Sequence, residues 1–309
     1  MKTGIWITLS VLAVLALILH LAAPRMAFKF LFGKPSRSKK IPAYYVGTPH
    51  YKASQKGLAL MRTLPSEEVT ITSRDGLKLH GYLFPAEGEY KKFVIGVHGY
   101  QSYSRPEFAP YIAFYLSLGF GMLMVDNRAH APSEGDYIGF GVLDRLDCVD
   151  WANYLTDTYG SDVQILLHGV SMGGATVLAA AGEEDLPEQV IGVISDCGFS
   201  DPESILRYQF RHAHVPVGLV RRVEKICAKK AGYNFRDYSA LKAVRRTKVP
   251  VLFVHGEEDT MVPPRMSQEL YDACNPPKRL MKVPGAGHGE SIAIATQDYY
   301  QQVREFFGI

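Results

Sequence analysis

The chain has 309 residues, 47% of them apolar, enough to bury a large core as one big domain or two smaller ones. Its formal charge of +3 is unevenly placed: residues 1–40 carry Lys2, Arg25, Lys29, Lys34, Arg37, Lys39 and Lys40 and no acid, which leaves the remainder at a net −4. A mildly acidic body excludes a global basic face, so nucleic acid is not an expected partner.

The first predicted element is Gly4–Ala23, an uncharged run with only His20 as a clearly polar interruption. About 20 apolar residues are what a bilayer-spanning helix needs. A cleavable signal peptide is the alternative. The run is long for a signal-peptide core, and Pro24 directly follows Leu21-Ala22-Ala23, the best small-residue cleavage site, so an uncleaved anchor over residues 1–24 is favoured. Six cations follow the run, with only Lys2 and the amino terminus before it, which puts the body on the cytoplasmic side of the membrane. Residues 25–64 then read as a basic juxtamembrane linker with a short helix over His50–Leu64 packed on the body. Arg25–Lys40 interleaves its cations with Phe28, Phe30 and Phe32, a composition that suits either anionic headgroups or a solvated flank. On this reading the core begins near Val69, and catalysis survives removal of residues 1–40.

From Val69 the pattern becomes an alternation of strands and helices. Val69–Thr72 and Leu77–Phe84 alternate with period two around the turn signal Asp75-Gly76, predicting a hairpin. Short apolar runs of the buried-strand type follow at Phe93–Val97, Gly121–Val125, Gln164–Leu167, Val190–Ile194, Val251–Val254 and Leu280–Val283. Helical stretches fall between and after them, at Pro106–Leu118, Val142–Tyr159, Met172–Gly182, Pro264–Cys274 and Ile292–Phe307. This order predicts an α/β fold, a mostly parallel sheet with helices on both faces and reactive groups at the carboxyl ends of the strands. Ser200–Thr247 interrupts the rhythm, with helical stretches at Pro202–His212 and Val217–Ala231. It reads as a helical cap over about 200–247, either a cover for the sheet edge or a lid on the site.

The organising stretch is Gln164–Thr176, a buried strand, a tight turn and a helix start with Gly169-Val170-Ser171-Met172-Gly173 at the turn. A serine lifted clear of a sheet needs nearly side-chain-free neighbours two residues before and after it. Its hydroxyl is then exposed, and the Met172 amide at the helix start points where an oxyanion would form. A serine hydroxyl is a poor nucleophile near neutral pH and needs a base that is itself oriented. His288, in the glycine-flanked loop Gly285-Ala286-Gly287-His288-Gly289, is the natural base, and Asp259, after strand Val251–Val254, the natural orienter. Asp196, after strand Val190–Ile194, stays open as the alternative acid.

The order Ser171, Asp259, His288, together with Val254-His255-Gly256-Glu257-Glu258-Asp259, Gly287-His288 and His98-Gly99-Tyr100, resembles the α/β-hydrolase superfamily. Within it, the chain resembles bacterial membrane-anchored serine hydrolases of the acyl-peptidase and bile-acid acyltransferase branches. The resemblance covers residues 65–309 and implies that the Tyr100 and Met172 amides form an oxyanion hole. Two departures stand out. Asp126–Ser133 has alanines where relatives usually carry glycines, and His98-Gly99-Tyr100 lacks the glycine run of many lipases.

Other candidates read as structural. His98 and His168 precede turn glycines, while His130, His212 and His214 show no ligand spacing and read as solvated loop or cap residues. Cys148, Cys197, Cys227 and Cys274 lack C-x-x-C spacing and read as small buried hydrophobes. The expectation is a serine hydrolase acting through an acyl-enzyme on a small-molecule ester, thioester or amide, with no cofactor or metal implied. The alternatives are acyl transfer by the same residues and a silent binding module on a hydrolase fold.

Overall fold

A computed structural model describes residues 21–35, 46–86, 88, 91–130 and 132–309. The expected membrane span falls outside these residues except for Leu21, Ala22 and Ala23, and among the described residues no helix is long and apolar enough to cross a membrane. Residues 21–32 are helical (α1), and α2 spans Pro49–Met61. The Thr48 hydroxyl caps α2 by accepting from the Tyr51 amide, and Pro49 stands in its first turn, where a missing N–H costs nothing.

Eight strands form one sheet: β1 (Glu67–Thr72), β2 (Lys78–Phe84), β3 (Lys92–Val97), β4 (Gly121–Asp126), β5 (Gln164–Val170), β6 (Val190–Asp196), β7 (Val251–Gly256) and β8 (Lys278–Val283). Their spatial order is β1-β2-β4-β3-β5-β6-β7-β8. The predicted hairpin is there: β1 pairs antiparallel with β2, and β2 antiparallel with β4, while β3 to β8 run parallel. Period-two alternation sorts side chains between two cores. Phe93, Ile95 and Leu167 enter one, with Trp151 and Leu178, and Val94 and Leu166 enter the other, with Tyr115 and Tyr299. The chain leaves β3 toward β4 on one side and returns to β5 on the other. The carboxyl ends of β3 and β5 therefore flank a switch point, where open α/β sheets form a crevice.

The helices covering the sheet are α3 (Ser104–Phe108), α4 (Ile112–Ser117), α5 (Asp144–Tyr159), α6 (Met172–Ala180), α10 (Arg265–Ala273), α11 (Ser291–Ile294) and α12 (Thr296–Phe307). The cap carries α7 (Pro202–His212), α8 (Gly218–Lys230) and the short α9 (Ala240–Ala243). The single helix expected over Pro106–Leu118 is broken into α3, a 3₁₀ turn at Ala109–Tyr111 and α4. Pro110 has no N–H to give the Pro106 carbonyl, which accepts from the Ser54 hydroxyl of α2 instead, at 2.7 Å. All four cysteines are free and buried.

The boundary drawn near residue 65 moves toward the N-terminus. Phe28 and Phe32 of α1 belong to the main core, with Phe32 stacked on Phe235 of the cap at 5.4 Å and edge-on to Phe140 at 5.3 Å. Gly33 bridges Tyr137, and the Ile138 amide donates to the Phe32 carbonyl at 2.8 Å. Residues 25–35 are thus a docked element, and removing residues 1–40 strips two phenylalanines from the core. Phe32→Ala is expected to destabilise the fold by about 3–5 kcal/mol, the usual cost of deleting a buried aromatic ring. The readout is the denaturant midpoint, and an unchanged midpoint would return this segment to the status of a linker.

Candidate active site

The sheet register brings the relevant strand ends level: Val97 lies opposite Gly169, Gly169 opposite Ser195, and Asp196 opposite Val254. Ser171 follows β5 directly and precedes α6, at φ +57° and ψ −118°. This is a strained conformation for a residue with a Cβ, costing on the order of 1–3 kcal/mol. It is held by the Ser171 amide donating to the Asp196 carbonyl at 2.8 Å. A Cβ on Gly169 would overlap the Gly173 carbonyl, and one on Gly173 would overlap that of Val97, which is why both flanking positions need glycine.

Ser171, His288 and Asp259 are brought into one line. His288 Nε2 lies 2.9 Å from Ser171 Oγ, and His288 Nδ1 lies 2.7 Å from Asp259 Oδ2. An ionised carboxylate only accepts, so Nδ1 carries the imidazole proton and Nε2 is left bare to accept from the serine hydroxyl. Asp259 is immobilised on its other oxygen, where Oδ1 accepts from the Met261 and Val262 amides, each at 2.8 Å. Burial alone would raise the Asp259 pKa. Hydrogen bonds from His255 and His288, the His288 charge and the Val262 amide outweigh burial and hold the carboxyl well below the usual carboxylate range. For His288, burial disfavours the charged form, but the Asp259 hydrogen bond and the charges of Asp259, Glu107 and Asp196 prevail and raise its pKa. The His288 side chain keeps 18% of its surface exposed and is reachable from solvent.

Asp196, the alternative acid, is fully buried beneath the serine and faces Tyr111, 3.4 Å from its Oδ2, and Ser291. Burial pushes it up to about 6, partly offset by the nearby His255. Its backbone carbonyl, not its carboxylate, serves the elbow.

Met172 opens α6, so its amide is one of the first-turn N–H groups that helical bonding leaves over, at the positive end of the helix. The segment His98-Gly99-Tyr100 leaves β3 close to the serine, and a Cβ on Gly99 would lie 3.2 Å from that of Ser171. The Tyr100 hydroxyl reaches the other way and donates to the Leu31 carbonyl of α1 at 2.9 Å. The cap meets the Asp259 loop through the Tyr208 hydroxyl, which donates to the Thr260 carbonyl at 3.1 Å, and through Gln209 to the Met261 carbonyl.

The structural histidines behave as such, with one correction. His98 accepts from the Asn127 amide at 3.1 Å, and His168 is held between the Tyr115 and Tyr299 hydroxyls at 2.9 and 3.0 Å. His130, expected in solvent, is buried against the His98 ring and bonded to the Arg128 carbonyl, and burial pushes its pKa down to about 3. The alanine-bearing loop is held by Arg128, which is paired to both oxygens of buried Asp147 and to Asp75. This anchors Ala129 at φ +63°, where a glycine would be unstrained.

Two residues near the site were not singled out from sequence. His255 Nε2 lies 3.2 Å from Asp259 Oδ2 and 2.9 Å from the Val262 carbonyl, with the Ser267 hydroxyl at its Nδ1. His50 of α2 is buried near Gly289 and Glu107, beside His288. Cys197, Asp259 and His288 offer three ligand atoms within 4.8 Å of one another. Burial drives the Cys197 thiol well above its ordinary pKa and keeps it protonated, while Asp259 and His288 are bonded to each other, a pairing suited to moving protons.

A family model for the prolyl oligopeptidase family (Peptidase_S9) matches residues 110–308. The uncharacterized protein YqkD of Bacillus subtilis is 28% identical over 198 residues, 63% of this chain and 65% of YqkD, just under two thirds of that relative's length. An uncharacterized membrane protein of Saccharomyces cerevisiae is 27% identical over 254 residues, 79% of this chain and 80% of that one. Among solved structures, an esterase of Pyrococcus furiosus is similar at 26% identity and a TM-score of 0.63, over 80% of this chain and 90% of the esterase. The acylaminoacyl peptidase of Pyrococcus horikoshii shares the fold at 20% identity and a TM-score of 0.58, over 82% of this chain and 43% of the peptidase. The strand order around the switch point and the match over nearly two thirds of the sequence agree: the chain belongs to the prolyl oligopeptidase family, among the serine hydrolases of the α/β-hydrolase fold.

Proposed function

We propose that the protein is a membrane-anchored carboxylesterase-like hydrolase that works through an acyl-enzyme on Ser171. The observation that carries this reading is the relay of 2.9 Å from Ser171 Oγ to His288 Nε2 and 2.7 Å from His288 Nδ1 to Asp259 Oδ2. Ser171 Oγ attacks the substrate carbonyl while its proton passes to His288 Nε2, and the Tyr100 and Met172 amides take the negative charge that develops on the carbonyl oxygen. His288 then gives that proton to the departing alcohol, thiol or amine as its bond to the carbonyl carbon breaks. Water, losing a proton to His288, cleaves the acyl-serine, and the proton returns to Ser171. Asp259 stays ionised throughout and stabilises the imidazolium. The cap over about 200–247 acts in this reading as the lid of the acyl pocket, and the anchor over residues 1–24 holds the enzyme to the membrane. The similarity to a membrane protein of Saccharomyces cerevisiae supports the anchor.

The test is labelling of the full chain by a fluorophosphonate probe, with turnover of p-nitrophenyl esters of graded acyl length. Absence of both would sink the reading, and product formed on an added alcohol or amine in place of water would make the protein a transferase. The pH profile carries a further expectation. His288 must be neutral to accept the serine proton, and its pKa is raised, so activity falls as pH drops through a value above that of free imidazole. The acid limb of kcat/KM should therefore centre above about 6.5.

A further inference from the structure

The docked helix α1 presents two different faces. Phe28 and Phe32, one turn apart, point into the body and are 3% and 0% exposed. Met26 and Phe30, also one turn apart, point outward at 70% and 77% exposure, and exposed Arg25 and Lys29 run beside them as a parallel column. Single exposed apolar residues are ordinary on a protein surface. A phenylalanine and a methionine stacked along one helix face beside two cations are the composition of a helix lying in a bilayer interface, with the apolar groups among the acyl chains and the cations at anionic headgroups. Continuity says what covers this face. α1 begins at Leu21, within the end of the uncharged run Gly4–Ala23, so any bilayer holding that run meets the outward face of α1 next.

The inner face of the same helix ends at the candidate active site. The Leu31 carbonyl takes the Tyr100 hydroxyl at 2.9 Å, and the Tyr100 ring lies edge-on to Phe140 at 5.9 Å. Phe140 in turn stacks on Phe199, just after β6, at 5.3 Å. One helix about 10 Å across and one tyrosine therefore separate the outward face from the loop beside Ser171. We propose that Arg25, Met26, Lys29 and Phe30 seat the protein on an anionic bilayer surface, and that this seat holds the Ser171 site at the membrane so that its substrate is a carboxylic ester carried by a membrane lipid. The substrate half rests on the hydrolase reading above, and the seating half on the anchor reading alone. Hydrolysis follows the steps already given: the lipid alcohol leaves with the serine proton, and water releases the fatty acid.

The full chain is reconstituted in phosphatidylcholine vesicles containing about one-fifth phosphatidylserine, an anionic surface like a cytoplasmic leaflet. Because the native cysteines are all buried, Met26→Cys and Phe30→Cys can each take a single environment-sensitive fluorophore, with Gln301→Cys on α12 as the reference. Quenching by lipids spin-labelled in the upper acyl chain is expected at positions 26 and 30 and not at 301. Equal quenching at all three, or none at 26 and 30, overturns the seat whether or not the protein is an enzyme. In the kinetic arm, Met26→Glu/Phe30→Glu should leave kcat/KM for a soluble short-chain p-nitrophenyl ester within about twofold, as surface changes do. It should lower kcat/KM for a long-chain ester embedded in the vesicles by roughly tenfold, mainly through KM. Equal effects on the two esters, or none on either, overturn the lipid-substrate half. Turnover of neither ester by the unsubstituted chain defeats the hydrolase reading, and with it the lipid-substrate half, while the quenching result for the seat stands alone.

Discussion

Ser171→Ala is expected to abolish fluorophosphonate labelling and to lower kcat on a soluble ester by roughly 10⁴–10⁶, the loss typical of removing a triad nucleophile. The fold should survive, because the elbow is held by the Ser171 amide and by the flanking glycines, none of which the substitution touches. The effect is so large because the hydroxyl it removes is the group bonded to His288, at 2.9 Å from Nε2. A variant retaining more than about one-tenth of the activity would remove Ser171 from the nucleophile role, since no triad serine is dispensable to that degree.

The second large effect separates two buried carboxylates. Asp259→Asn should cost about 10³–10⁴ in kcat, because an amide can donate to Nδ1 and favour the tautomer with its proton on Nε2, the wrong one for accepting from serine. The same substitution at Asp196 should cost far less in kcat, since its carboxylate faces the Tyr111 hydroxyl and its only bond to the elbow runs through its backbone carbonyl. Parallel kinetics of the two variants decide the matter. The opposite ranking would move the orienting role to β6 and leave the Asp259–His288 contact at 2.7 Å without a catalytic purpose.

How legible all this was in the sequence differs from element to element. The inner strands were readable because each is a short apolar run closed by glycine, proline or a polar cluster, and the β1–β2 hairpin because its residues alternate around Asp75-Gly76. Gly169 and Gly173 were readable because the elbow leaves no room for a Cβ at either position. α1 was not. Phe28 with Phe32 and Met26 with Phe30 are both pairs one helical turn apart, and nothing local says which pair turns inward. The choice is made by Phe140 and Phe235, far along the chain. His255 was hidden for a related reason. It sits inside the segment that announced Asp259, four residues ahead of it, and only the chain's path after β7 turns that spacing into a 3.2 Å contact. The split in the Pro106–Leu118 helix was within reach, since Pro110 is visible in the sequence, but its partner Ser54 lies on an element more than 50 residues away.

The docking of α1 also has a bearing on the order of assembly. The stacking partner of Phe32, Phe235, is synthesised about 200 residues after it, which at ribosomal speed is on the order of 10–40 s. Contacts at such separation form late, after the closure of a very long loop. Phe140, the other ring against Phe32, is made about halfway through that interval, so the Phe32 pocket stays half built until the cap follows. Phe28 meets Tyr137 without the cap, whereas Phe32 gains its full stack only once the cap exists. The wall behind Tyr100 therefore closes only after the cap has been made, well after the serine elbow itself.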